Sequence, residues 1–185
     1  RKTSADGRCP SLSAESAYTR GFVEIQDEGS QLASLIAGAK PGMPVLDLCA
    51  GGGGKTLALA AEMDNKGQIY ATDSDGRRLM PIYPRLERAN VRNVQVRAPQ
   101  DGALDDLLGK MDRVVVDAPC TGTGTWRRRP DTKWKRSPEL MAQRVAEQAA
   151  ILDDPARYAK GGGTLVYITC SILPGGTAPH TADVF

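Results

Sequence analysis

Two cysteines close two apolar runs, where a thiol can do covalent chemistry: DRVVVDAPC ends at Cys120 and GGTLVYITC ends at Cys170. A free cysteine is often a small buried hydrophobe, but once ionised it is among the strongest side-chain nucleophiles. Strand ends are also where an α/β sheet presents its reactive groups. The chemical role is therefore preferred for Cys120 and Cys170 together. Cys49 follows directly on its own apolar run and reads as packing, and Cys9, in a polar tail, receives no role.

The stretch VLDLCAGGGGKT, residues 45 to 56, is an apolar strand entering four glycines and then a helix. Such a turn lets backbone come close to a ligand where a Cβ would collide. A Walker A loop fails here, because Cys49 stands where its first glycine belongs, and a dinucleotide G-x-G-x-x-G fails at Thr56. The form that fits is the S-adenosylmethionine loop of class I methyltransferases, with Asp47 ending the strand and the small residues Ala50 to Gly54 following. The next strand, QIYATD, ends at Asp73, whose carboxylate can accept hydrogen bonds from both ribose hydroxyls of an adenosyl ligand; Asp75 is the nearby substitute. A flexible turn with Asp73 as a mere helix cap accounts less well for strand, loop and second acidic strand end together.

A net charge of +2 says little about partners, but WRRRPDTKWKR, residues 126 to 136, holds six basic residues against one acidic and both tryptophans. Arg127, Arg128, Arg129 and Lys133 suit phosphate contact, and Trp126 or Trp134 could stack on an unpaired base, which points to RNA. The plainer alternative is a solvated loop whose tryptophans pack on the core.

The elements that must position these groups follow from periodicity. Residues 1 to 21 read as a linker or the remains of an upstream element, and 22 to 185 as one domain. From Asp27, an N-cap, EGSQLASLIAGA places Leu32, Leu35 and Ile36 on one helical face, with Pro41-Gly42 as the stop. Strand-length apolar runs follow at Val45 to Leu48, Gln68 to Thr72, Val91 to Val96, Arg113 to Val116 and Thr164 to Thr169. Ser137-Pro138 opens a helix with Met141, Val145, Gln148 and Leu152 on one face, and Pro81 and Pro84 should kink or shorten the helix after Asp75. Strands alternating with helices predict an α/β fold with a mainly parallel sheet that binds ligands beyond the carboxyl ends of its strands.

Composition excludes several classes. With 185 residues, 41% hydrophobic and 25% charged, the chain can bury its own core. No stretch approaches the ~20 apolar residues of a membrane span. Four separated cysteines without a CxxC pair, and no visible signal peptide, argue against a disulfide framework and for a reducing, cytoplasmic setting. His180 is the single histidine, so no metal is expected, and a monomer is the default.

The segments FVEIQDEGSQLA, DLCAGGGGKT, DAPCTGTGTWRRRPDTKW and LVYITCS, in that order between about Gly21 and Pro174, closely resemble the Nop/Sun family of RNA cytosine-5 methyltransferases, in particular its bacterial small-subunit ribosomal RNA branch. The resemblance implies a Rossmann-like class I fold that moves a methyl group from S-adenosylmethionine to C5 of a cytosine in RNA. By that resemblance Cys170 attacks C6 of the base, Asp117 hydrogen-bonds the base near N3 and lies close to the cofactor, and Cys120 assists proton loss and release. Cys49, Ala50, Gly51, Gly52, Gly53, Gly54, Lys55 and Asp73 would hold the cofactor, Cys49 through its backbone.

Three features depart from the family. Gly51-Gly52 replaces an Ala-Pro pair and should loosen the loop. Asp101 is displaced from the place of an adenine-binding aspartate. After Ser171 the chain reads SILPGGTAPHTADVF in place of Pro-Glu-Glu-Asn, a helix and two more strands, so the C-terminal strands are expected to be missing. Two rivals stay open: a noncatalytic RNA-binding or ribosome-assembly module with a vestigial fold, and a DNA cytosine-5 methyltransferase attacking through Cys120.

Overall fold

The five apolar runs become five strands of one sheet, in the order β3-β2-β1-β4-β5. A computed structural model describes residues 11–134, 137–152 and 155–172; Cys9, His180 and the tail from Leu173 lie outside them. In chain order the main elements are α1 (Ser16–Thr19), α2 (Glu28–Ala37), β1 (Pro44–Asp47), α3 (Gly54–Glu62), β2 (Gln68–Ala71), α4 (Gly76–Leu79), α5 (Ile82–Arg88), β3 (Val94–Val96), β4 (Met111–Asp117), α6 (Pro138–Leu152) and β5 (Ala159–Ile168). β1 with β4, β4 with β5, and β2 with β3 all pair in parallel. Val114, Val115 and Val116 are buried in succession, as befits a parallel strand covered on both faces. Among the described residues no helix is long and apolar enough to cross a membrane.

The described residues fall into two compact units, one of those up to Met43 with Ala50–Pro99 and one of Pro44–Cys49 with those from Gln100 onward. In the first, the Asp27 carboxylate caps α2 by accepting from the Gly29 N–H at 3.2 Å, and Gly38 ends the helix at φ +66°. The predicted apolar face of α2 is not its buried one. Leu32, Leu35 and Ile36 are 53%, 56% and 80% exposed, while Ser34 and Ala37 are buried. Small side chains let this helix lie close to α3, and the Ser34 hydroxyl is satisfied by the Ser30 carbonyl at 3.0 Å.

The segment after Asp75 breaks at Pro81 into α4 and α5, because a prolyl ring clashes with the preceding turn and brings no N–H. Pro84 is tolerated in the first turn of α5, where an N–H would have no helical partner. β3 starts three residues later than expected. Asn90 takes a left-handed φ of +52°, and Asn65 clasps the turn, donating to the Asn90 carbonyl at 2.9 Å and accepting from the Arg92 N–H at 2.8 Å.

In the second unit β4 and β5 both exceed their apolar runs. β5 reaches back to Ala159 through three glycines, with an irregularity in its pairing between Met111 and Arg113. A Cβ on Gly163 would sit 2.6 Å from the Met111 carbonyl oxygen, so glycine there permits the close approach of the strands. α6 opens as the Ser137-Pro138 pair predicts, with the Ser137 hydroxyl accepting from the Leu140 N–H at 3.2 Å. Its one buried residue is Gln148.

Candidate active site

The glycine turn of the first unit is held from several sides. The Ala50 N–H donates to the Thr72 carbonyl at 2.9 Å, and the Gly51 N–H to Asp73 Oδ2 at 3.0 Å. Arg85 donates to the Gly52 carbonyl, with Glu24 set between Arg85 and Arg88. Gly51 and Gly53 have φ +49° and +80°, and a Cβ on Gly53 would lie 2.4 Å from Ile82 Cγ1. The turn therefore needs glycine for conformation and for space, and the Gly51-Gly52 pair is tethered where sequence alone suggests looseness. Gly54 and Lys55 open α3, which has no side-chain cap.

Asp73, 2% exposed, sits two residues beyond β2, which ends at Ala71 and not at Asp73 itself. Its Oδ1 accepts from the Asp75 N–H at 3.1 Å and lies 3.3 Å from Arg78 Nη1. This carboxylate organises the turn besides facing any ligand there. Asp75 instead caps α4, accepting from the Arg77 N–H at 2.9 Å, and the hydrogen bonds from Arg77 hold its carboxyl below the usual carboxylate range. Asp101 lies exposed in a turn.

In the second unit, parallel β4 and β5 end side by side, Asp117 opposite Ile168. The Ala118 N–H still donates to the Ile168 carbonyl at 2.9 Å, and the two chains then stay joined beyond the ladder. Cys120 Sγ is 2.9 Å from Cys170 Sγ, and Thr121 Oγ1 is 3.0 Å from Ser171 Oγ. The Gly124 N–H reaches the Cys170 carbonyl at 2.8 Å, and the Ile172 N–H reaches Thr123 Oγ1 at 2.9 Å. Cys170 is exposed and Cys120 half-buried. Cys49 follows β1 in this same unit and is half-buried.

Two thiols at this separation titrate as one system. The hydrogen bond from Cys170 draws the Cys120 thiol well below the usual range, to about 5, with the Thr169 hydroxyl adding to the effect. Cys170 is pushed up, first by that same bond, then by burial and by the charges of Cys120 and Asp117. Physically, one thiolate forms readily and the second is strongly opposed, with the proton shared between the sulfurs. A lowered value means that the pair is charged at all pH above about 5. One equivalent of iodoacetamide should thus react at a rate that climbs through about pH 5 and is level by pH 7, while the second thiol, no longer opposed by a neighbouring thiolate once the first is capped, reacts in the range of an ordinary thiol. A single midpoint near pH ~8.5, that of an ordinary thiol, would contradict this coupling.

Tyr167 is a participant that sequence inspection passes over, because it reads as an ordinary strand aromatic. Its hydroxyl has no hydrogen-bond partner among the described residues and is pushed up to about 12, by burial first and then by the charges of Cys120 and Cys49. Thr123, Gly124 and Gln148 are equally silent in the sequence. The basic loop is exposed at Arg127, Arg128, Arg129 and Lys133. Trp134 is 83% exposed, Trp126 is half-buried, and Lys133 Nζ stands 5.7 Å from each ring centre. One of the two tryptophans is thus presented to solvent. Among the described residues no group of three or more histidines, cysteines or carboxylates is placed to hold a metal.

Comparison with known proteins gives this arrangement a family. Residues 35–183 match the family described as 16S rRNA methyltransferase RsmB/F. A ribosomal RNA small subunit methyltransferase B of Klebsiella pneumoniae is 38% identical over 161 residues, 85% of this chain and 36% of that protein. A probable ribosomal RNA small subunit methyltransferase B of Synechocystis is 33% identical over 171 residues, 91% of this chain and 38% of that one. The chain thus spans little more than a third of these curated relatives' length. Among solved structures, NSun6 from Pyrococcus horikoshii, crystallised with SFG, superposes with a TM-score of 0.84 at 29% identity, over 95% of this chain and 45% of that chain. A methyltransferase homolog protein from Pyrococcus horikoshii does so at 0.79 and 32% identity, over 95% of this chain and 56% of that one. The sheet is therefore that of the Rossmann-like methyltransferases, and the chain belongs to the 16S rRNA methyltransferase RsmB/F family.

Proposed function

We propose that this chain is the methyl-transferring core of a cytoplasmic RNA cytosine-5 methyltransferase that acts on ribosomal RNA through a covalent cysteine adduct. The observation that carries the proposal is the meeting of Cys120 and Cys170 at adjacent parallel strand ends, 2.9 Å apart. A lone nucleophile needs no second thiol, whereas attack followed by release uses two.

The first unit suits S-adenosylmethionine on its own features. Its turn has no room for a Cβ at Gly53, a buried carboxylate stands at Asp73, and the positive end of the α3 dipole favours a ligand carboxylate. When bound, the cofactor supplies an electrophilic methyl group on a sulfonium.

C5 of cytosine is too poor a nucleophile to take that methyl unaided. The Cys170 thiolate adds to C6, and the electrons of the C5–C6 bond make C5 enamine-like. Asp117 hydrogen-bonds the base near N3 and so stabilises the adduct. After the methyl group has bonded to C5 and the adduct is neutral, Cys120 gives up the shared proton to solvent, its thiolate takes the C5 proton, the C6–S bond breaks and Cys170 leaves as thiolate. Arg127, Arg128, Arg129 and Lys133 hold phosphates, and Trp134 offers a stacking face for a nucleotide whose target base is turned out of its helix.

Cys120 as attacker, in the manner of DNA cytosine-5 enzymes, is the second reading, favoured by the lowered Cys120 thiol. The exposure of Cys170 against the half-burial of Cys120 speaks for Cys170. The proposal is tested by incubating the chain with methyl-labelled S-adenosylmethionine and 16S ribosomal RNA, then digesting to nucleosides. The label is expected in 5-methylcytidine; label in another nucleoside, or transfer to DNA alone, contradicts it. Absence of cofactor binding at millimolar concentration favours the noncatalytic rival.

A further inference from the structure

Of the 15 residues of α6, the buried one is a glutamine, while Met141, Val145 and Leu152 on the same face stay partly exposed. Burying an amide costs free energy unless it is hydrogen-bonded. Here only half of it is: Gln148 Nε2 donates to the Pro119 carbonyl at 2.9 Å, and Oε1 has no partner among the described residues. Leucine or methionine would fill the same space without stranding an oxygen, so packing does not account for this side chain. Its bond partner does. Proline has no N–H, so its carbonyl is the backbone handle available immediately before Cys120. The main-chain ladder ends at Ala118, and beyond it side chains, Cys120 to Cys170 and Thr121 to Ser171, link the two strand extensions. The opposite cysteine is fixed separately, its carbonyl held by the Gly124 N–H at 2.8 Å, where a Cβ on Gly124 would fall 2.8 Å from the same oxygen.

We propose that Gln148 is a positioning residue which, by holding the Pro119 carbonyl, keeps the Cys120 sulfur on the Cys170 sulfur and makes the two thiols one acid–base unit. Its catalytic consequence, faster release of the methylated base, rests on the function proposed above. Freed of this tether, the loop lets Cys120 drift from Cys170 and behave as an ordinary thiol, protonated at neutral pH.

The test is the pH profile of iodoacetamide alkylation at Cys120, mapped by peptide mass in the whole chain, in Gln148→Leu and in Gln148→Met. Both substitutions keep the volume and remove the donor, and two shapes guard against a folding failure of either; melting curves establish that the proteins compared are folded. The alkylation midpoint is expected to rise by at least one pH unit, with the rate at pH ~6 down about tenfold. An unchanged profile in either folded variant overturns the proposal. Because alkylation uses no RNA, this outcome is independent of which cysteine attacks cytosine. A wild-type protein that forms no RNA adduct would sink the proposed function while leaving the tether standing.

Discussion

Cys170→Ala is expected to stop methyl transfer, whereas Cys120→Ala is expected to complete one transfer and then stall with RNA still attached. The asymmetry follows from what each sulfur must do. Without an attacking thiolate C5 never becomes nucleophilic, and loss of a covalent nucleophile costs on the order of 10⁴-fold or more in rate. Without the second thiol the first two bonds still form, but proton removal from C5 falls to water and the adduct accumulates. Single-turnover transfer from labelled S-adenosylmethionine, read beside denaturing electrophoresis of protein–RNA conjugates, separates the two. Accumulated conjugate in Cys170→Ala, or its absence from Cys120→Ala, would exchange the roles. The shared proton makes the assignment a real question, since in the free protein the charge resides more readily on Cys120.

Gly53→Ala is expected to have the largest effect outside the cysteine pair. The residue has φ +80°, and its new Cβ would meet Ile82 Cγ1 at 2.4 Å and Cδ1 at 2.9 Å. Ile82 is fully buried in the cluster with Leu57, Leu79 and Leu86, so it has nowhere to move. Left-handed backbone and overpacking together cost about 3 kcal/mol, a melting temperature lower by roughly 10 °C for a domain of this size. Displacement of the turn should also abolish S-adenosylmethionine binding in calorimetry. Gly52→Ala is the control, since its φ is not in the left-handed region and its Cβ would meet Arg85 Nη1 at 3.4 Å and Pro81 Cβ at 3.7 Å. Equal melting of the two variants would show that the turn is not the constrained element described here.

The sequence carried the fold well where local chemistry decides it. Apolar runs became the strands, Asp27 and Ser137 capped their helices, and Pro81 broke one. Strand ends then placed Cys120 and Cys170 just beyond neighbouring strands, because parallel β4 and β5 fix their register. What escaped was set by distant partners. Leu32, Leu35 and Ile36 are periodic yet exposed, and the helix buries Ser34 and Ala37 instead. The stretch from Val91 to Asn93 reads as the start of a strand, but Asn65 pins the turn at Arg92 from 27 residues away. Gln148 reads as one member of an amphipathic face, and nothing local announces a carbonyl 29 residues upstream as its partner. The Arg85 bond to the Gly52 carbonyl, across 33 positions, is equally invisible. The basic tryptophan loop was legible as a charge run, while the exposure of Trp134 and the half-burial of Trp126 are set by tertiary packing that a charge run does not encode.

Trapping with ribosomal RNA that contains 5-azacytidine reaches the central claim most directly, because nitrogen at position 5 leaves no proton to remove and freezes the adduct. With S-adenosylmethionine present, peptide mapping of the frozen conjugate should find the nucleotide on Cys170. A nucleotide on Cys120, or a fully cofactor-bound protein that forms no conjugate, would contradict the account.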